Sequence, residues 1–214
     1  FGVGACLYFV GKHPNDDWHP ASNPMPMTME DGHAPGSVRA LMKFCFVVGV
    51  LFLGQTLVGG AVAHYRADPG SFYGWDMSSL WPSSLMRGWH LQLAILWIAT
   101  GFVTGGLVIS RILGGKDWKG LHALTNLLFV AFAIVIFGSL LSQWAGTAGW
   151  WPEATFWLGP QGWEYIELGR AWQYALILGL AIWAVMLLRT TWPAVKRIAT
   201  RPLGIFLLVA AIVI

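Results

Sequence analysis

Charge is what this chain has least of. Only 11% of its 214 residues are charged, against 56% that are hydrophobic, and the mean hydropathy is +0.59. A soluble domain carries about 25% charged residues, so that class is excluded. The net charge of +3 is small and gives no sign of nucleic-acid binding. Cysteine is nearly as scarce. Cys6 and Cys45 both lie in apolar runs without metal-ligand spacing, which leaves them as packing residues. No internal repeat, soluble domain or signal peptide can be read.

Tryptophan, by contrast, is abundant, with 14 copies, which suits a protein that meets two water–lipid interfaces. Four apolar stretches, at about 40–63, 89–110, 121–145 and 168–188, have roughly the 20 residues a membrane-spanning helix needs. Backbone groups in lipid must bond within their own segment, so runs of this length are helices. The prediction is an all-α polytopic transmembrane bundle with four complete spans. Residues 1–11 and 203–214 read as two truncated helices, so the chain is expected to be a fragment of a longer protein. Residues 12–38, rich in Pro, Asn, Asp and Met, read as a connector, and 39–214 as the membrane domain. The WPSSLM (81–86) and WWPEATFW (150–157) segments read as amphipathic pieces lying on the membrane.

The basic residues set the topology. Lys12, Arg39 and Lys43, then Arg111, Lys116 and Lys119, then Arg189, Lys196, Arg197 and Arg201 fall on one side; only Arg66, Arg87 and Arg170 fall on the other. By the positive-inside rule the first side is cytoplasmic. The loops at 64–86 and 146–167 then face outward, to the periplasm in a bacterial inner membrane. Their tryptophans are expected to form an aromatic belt.

Three polar constellations lie on that outer side. His90 sits one helical turn after Arg87, at the head of a span with no charged residue from 91 to 110. An ionisable group there is costly and marks a functional candidate. It reads either as an interfacial histidine bonded to a backbone carbonyl or as an axial heme ligand beside a propionate-holding arginine. Gly101, Gly105 and Gly106 suit the approach of a macrocycle or another helix. His64, Asp68 and Phe72 form a second group. It reads as a helix terminus or as a quinol site, where imidazole and carboxylate bond the head group and take up its protons. Glu164, Glu167 and Arg170 recur every three residues. They read as a helix start with an ion pair, or as a hard-cation or proton-handling site. His122 reads as an unpaired interfacial residue, and His13, His19 and His33 show no metal-ligand spacing.

Taken together, GGAVAHYRADPGSFYGWD, MRGWHLQLAILWIATG, GGKDWKG followed by NLLF, and GPQGWEYIELGRAWQ resemble the quinol-dependent nitric oxide reductases, a branch of the heme-copper oxidase superfamily. The resemblance runs from about Arg39 to Ile214. It implies that His90 is an axial ligand of a low-spin heme b and that Arg87 belongs to the propionate region. It places His64, Asp68 and Phe72 in the quinol pocket, where the family has Glu at the position of Asp68. It associates Glu164 with calcium and Glu167 with proton transfer from outside. The second ligand of this heme, the high-spin heme and the non-heme iron would lie outside the chain, so the fragment alone is expected to be inactive. The full protein would reduce nitric oxide to nitrous oxide with quinol; three rival readings are a nitric oxide dismutase-like relative, a non-catalytic b-type cytochrome, and a proton-handling transporter. A homodimer fits the same resemblance.

Overall fold

The structure, a computed structural model, describes residues 36–71, 74–114 and 117–198. Four long helices carry it: α1 (Gly36–Ala67), α2 (Ser83–Gly114), α3 (Leu121–Thr147) and α4 (Arg170–Ile198). Each is long and apolar enough to cross a membrane, as the composition predicts. No strand occurs among the described residues. The expected truncated helices and the connector lie outside those residues, apart from the start of α1.

The helices are apolar around most of their circumference, the pattern of segments that face lipid as well as protein. Phe46 is 73% exposed and Phe137 74%; in water such side chains would form large apolar patches. Cys45 is also exposed, so it does not pack in the core as expected. The core lies around α2, which packs against α1, α3 and α4. Leu93, Leu96, Val103 and Leu107 of α2 meet Phe44, Phe132, Val135 and Met186 there. Buried hydroxyls satisfy themselves on the preceding turn: Thr100 donates to Leu96 O, Thr104 to Thr100 O and Thr190 to Met186 O.

Small residues let the helices close up. Trp183 of α4 fills the notch at Gly106, where an added Cβ would lie 2.6 Å from Cζ2. Gly106 therefore serves helix packing, while Gly101 and Gly105 have open space beside them.

Two ends can be distinguished. The described loop residues at 68–71, 74–82 and 148–169 form a tryptophan-rich end, where Trp144 Nε1 at the end of α3 donates to Leu80 O at 3.2 Å. At the opposite end Trp118 Nε1 donates to Thr190 Oγ1 at 3.1 Å, and the Arg189 guanidinium lies 4.1 Å above the Trp118 ring.

Three boundaries differ from the sequence reading. Residues 83–86 are not a surface piece but the start of α2, with Leu85 and Met86 buried against Tyr65. Proline is tolerated at a helix start, and Pro82 O accepts the first such bond, from Met86 N at 3.1 Å. The 150–157 segment contains a short 3₁₀ turn, Pro152–Ala154. It ends by capping α4: Phe156 O and Trp157 O accept from the backbone N–H groups of Arg170 and Ala171 at 3.2 and 2.9 Å. Those are donors that a helix N-terminus leaves without partners. Finally, α4 begins at Arg170, so Glu164 and Glu167 precede it.

Candidate functional site

The predicted outer-side residues that the structure describes lie at the tryptophan-rich end, on different supports. His90 stands on the second turn of α2, facing α1. Its Nδ1 lies 3.0 Å from the backbone oxygen of Gln55. A helical carbonyl is committed to the N–H four residues on, here that of Gly59, but keeps a second lone pair. Glycine at that fourth position leaves the lone pair open to an outside donor. A Cβ on Gly59 would lie 2.7 Å from His90 Cε1 and 2.9 Å from Nδ1. The carbonyl can only accept, so the assigned tautomer carries its proton on Nδ1. Nε2 is then the basic nitrogen, and the Gln55 side-chain amide nitrogen lies 3.3 Å from both ring nitrogens. Arg87 shares this helical face, and its side chain is exposed while His90 is half-buried.

One feature of this seat matches an iron-ligating histidine, although the ring itself lies against α1 at Gly59. A ligating histidine ordinarily gives its other ring N–H to a carbonyl or carboxylate, which fixes the tautomer. His90 has that arrangement with Gln55. Among the described residues no three His, Cys, Asp or Glu side chains converge as a metal site, and a heme axial ligand does not need such a cluster.

His64 and Asp68 lie where α1 ends. The helix continues one bond past Ala67, with Asp68 N donating to His64 O at 2.9 Å, and Pro69 stops it. Asp68 is fully exposed and accepts from the Ser71 hydroxyl. That bond holds its carboxyl below the ordinary carboxylate range; desolvation opposes it, and the backbone N–H groups of Gly70 and Ser71 and the nearby His64 add smaller lowering contributions. Phe72 lies outside the described residues. Tyr65, between the two, donates to Trp81 O at 2.6 Å and so pins the turn to the start of α2.

Glu164 and Glu167 do not share a helical face. Trp163–Tyr165 is a 3₁₀ turn, and Ile166 and Glu167 both have left-handed backbones, φ 59° and 55°. Such a residue costs on the order of 1–3 kcal/mol unless its surroundings hold it. Gly162, at φ 100°, starts the turn. Its N–H donates to Glu167 Oε2 at 3.1 Å, and Glu167 N donates back to Gly162 O at 3.0 Å. An added Cβ on Gly162 would lie 3.1 Å from Glu164 Oε2, so both acids lie close to this glycine. The expected helical ion pair is replaced: Arg170 donates to Gln173 Oε1 at 3.0 Å and lies 4.4 Å above the Tyr165 ring.

Two residues carry this end without having been singled out from sequence. Gln92 and Gln143 are almost wholly buried, and Gln92 Nε2 donates to both Gln143 Oε1 and Glu167 O, at 3.3 and 2.8 Å. A glutamine inside an apolar helix run was the available signal. His122 is not unpaired: Asn126, one turn on, reaches its ring at 3.1 Å and also accepts from Lys43.

An apolar cavity of about 860 Å³ opens between α1 and α3, along α2. Its lining runs from Phe44 to Leu80, Trp81 and Trp144 at the tryptophan-rich end. His90 faces a neighbouring side of α2 and does not line it. No protein-family model matches the chain, and no curated protein matches it.

Proposed function

We propose that this chain is part of a quinol-dependent nitric oxide reductase of the heme-copper oxidase superfamily. The observation that carries the reading is the His90 seat, an imidazole whose tautomer is set by the Gln55 carbonyl and whose Nε2 is the basic nitrogen. The four ordered motifs of the sequence give it its family. The overall reaction is quinol plus two NO giving quinone, N2O and water, with two electrons and two protons passing from quinol.

In this reading His90 would hold a low-spin heme b through its iron, and Arg87 would hold its propionates. The heme supplies one-electron storage between quinol and the site of NO reduction. Ligation through Nε2 requires the Gln55 side-chain amide, now 3.3 Å away, to swing aside, while the backbone carbonyl keeps hold of Nδ1. His64 and Asp68 bond the quinol hydroxyls, and the ionised Asp68 receives a proton. The side chain is one methylene shorter than the family's glutamate, so the bond to quinol is either longer or passes through a water. The apolar cavity, which reaches that end at Leu80, Trp81 and Trp144, suits the hydrocarbon tail of the quinol. Glu167 handles protons from the outer, periplasmic face, and Glu164 holds calcium with loop carbonyls.

The test is quinol-driven NO consumption by the full-length protein in bacterial membranes. One N2O for every two NO supports the reading. Oxygen release from NO points to a dismutase. A heme spectrum without NO consumption leaves an electron-transferring cytochrome. Replacing His90→Ala must abolish the low-spin spectrum; an unchanged spectrum removes His90 as ligand.

A further inference from the structure

Gln92 is 1% exposed, inside a span whose other buried neighbours are Leu93 and Leu96. Its Oε1 is buried without a hydrogen-bond partner, a state that costs free energy relative to an apolar side chain. A leucine would fill the same space without that cost. What glutamine adds is the two donors of its amide. One goes to Gln143 Oε1 of α3, and the other to the carbonyl of Glu167, in the loop before α4.

Gln143 is itself fixed in place. Its Nε2 occupies the notch at Gly88, where an added Cβ would lie 2.5 Å away. A continuous set of contacts therefore runs from Gly88 through Gln143 and Gln92 to the Glu167 carbonyl. Glu167 is one of two consecutive residues with left-handed backbones, and such a backbone persists only where its surroundings hold it. The same turn folds the Glu167 carboxylate back onto the Gly162 N–H.

We infer that Gln92 is a positioning residue for Glu167: by holding the Glu167 carbonyl it keeps the turn left-handed and the carboxylate on Gly162. This rests on the proposed function only in giving that carboxylate a proton to handle. The hydrogen bonds of Gln92 go to Gln143 and to the Glu167 carbonyl; its effect passes through the backbone of the loop.

The test compares Gln92→Met, which keeps length but loses both donors, with Gln143→Met, which leaves the bond to Glu167 in place. Both are made in the full-length protein. Hydrogen exchange in Gln92→Met is expected to rise about tenfold at the amides of 162–168, with the helix interiors unchanged. Quinol-driven turnover is expected to fall about tenfold with a displaced pH profile, while the KM for quinol and the heme spectrum stay the same. Gln143→Met shows a smaller change in each. Unchanged exchange at 162–168, equal loosening in both variants, or a loosened loop with ordinary turnover and pH profile overturns the inference. If the unmodified protein consumes no NO, the proposed function fails, and the exchange comparison alone decides the role of Gln92.

Discussion

His90 and Asp68 lie at the same end of the bundle but are held in opposite ways. His90 is placed by another helix, with its ring lodged at Gly59 and bonded to the Gln55 carbonyl. Asp68 is placed by its own turn, through Ser71 three residues away, and is fully exposed. The first arrangement resists displacement, because moving the ring means separating α1 from α2. The second adjusts cheaply and remains open to a ligand from outside. That division suits a fixed cofactor ligand beside an exchangeable substrate.

The largest effect is expected where the comparison is sharpest, at two glycines of the same segment. Gly59→Ala puts a Cβ within 2.9 Å of two His90 ring atoms. The ring must leave the Gln55 carbonyl, at an expected cost of about 1–3 kcal/mol, the usual range for overpacking. Gly70→Ala meets nothing within 4 Å, and its expected effect is within about 0.5 kcal/mol. Denaturant unfolding in detergent measures both. Equal effects would break the distinction between the two sites.

Next in size is Asp68→Asn, which keeps the shape of the side chain and removes its charge. Quinol oxidation by the full-length protein is expected to fall by about 10²-fold, the low end for loss of a proton acceptor, with the heme spectrum intact. Unchanged turnover would take Asp68 out of the quinol pocket. Gln55→Leu is a milder probe of the other site. It removes the amide beside Nε2 but leaves the backbone carbonyl on Nδ1, so stability is expected to change by less than about 1 kcal/mol. Loss of the low-spin spectrum in that variant would mean that the side chain, not the carbonyl, orients the ring.

What could be read from sequence follows the same division. The four spans were legible because lipid imposes one requirement, some twenty apolar residues, on every crossing. Their ends were not. Pro82 marks a helix start as readily as a loop, and only the packing of Leu85 and Met86 under Tyr65 decides it. The spacing of Glu164, Glu167 and Arg170 suggested a helix, but two left-handed residues intervene. Their conformation depends on Gln92, 75 positions earlier. His90 was legible as a costly residue, yet its seat was not, because Gln55 and Gly59 lie on another helix. A glycine four residues after the bonded carbonyl is the one local trace of that seat.

The smallest effect tests the local side alone. Ser71→Ala removes the hydroxyl that contributes most to holding the Asp68 carboxyl below its ordinary range. The two backbone N–H bonds and the charge of His64 remain, opposed by desolvation, so the pKa is expected to rise toward the ordinary carboxylate value. A lowered folded-state pKa stabilises the fold above the unfolded value and loses that contribution as pH falls through the folded one. In the variant the contribution is smaller, and its loss, which starts at the same unfolded-state value, is complete at a higher pH. Being fully exposed, Asp68 is screened by water, so the change should appear in its own titration, followed by infrared spectroscopy with Asp68→Asn as the reference, and hardly in unfolding. The His90 spectrum should not respond. If it does, the turn at 68–71 and the His90 seat are coupled through Tyr65 and the start of α2, and the two sites are not independently held.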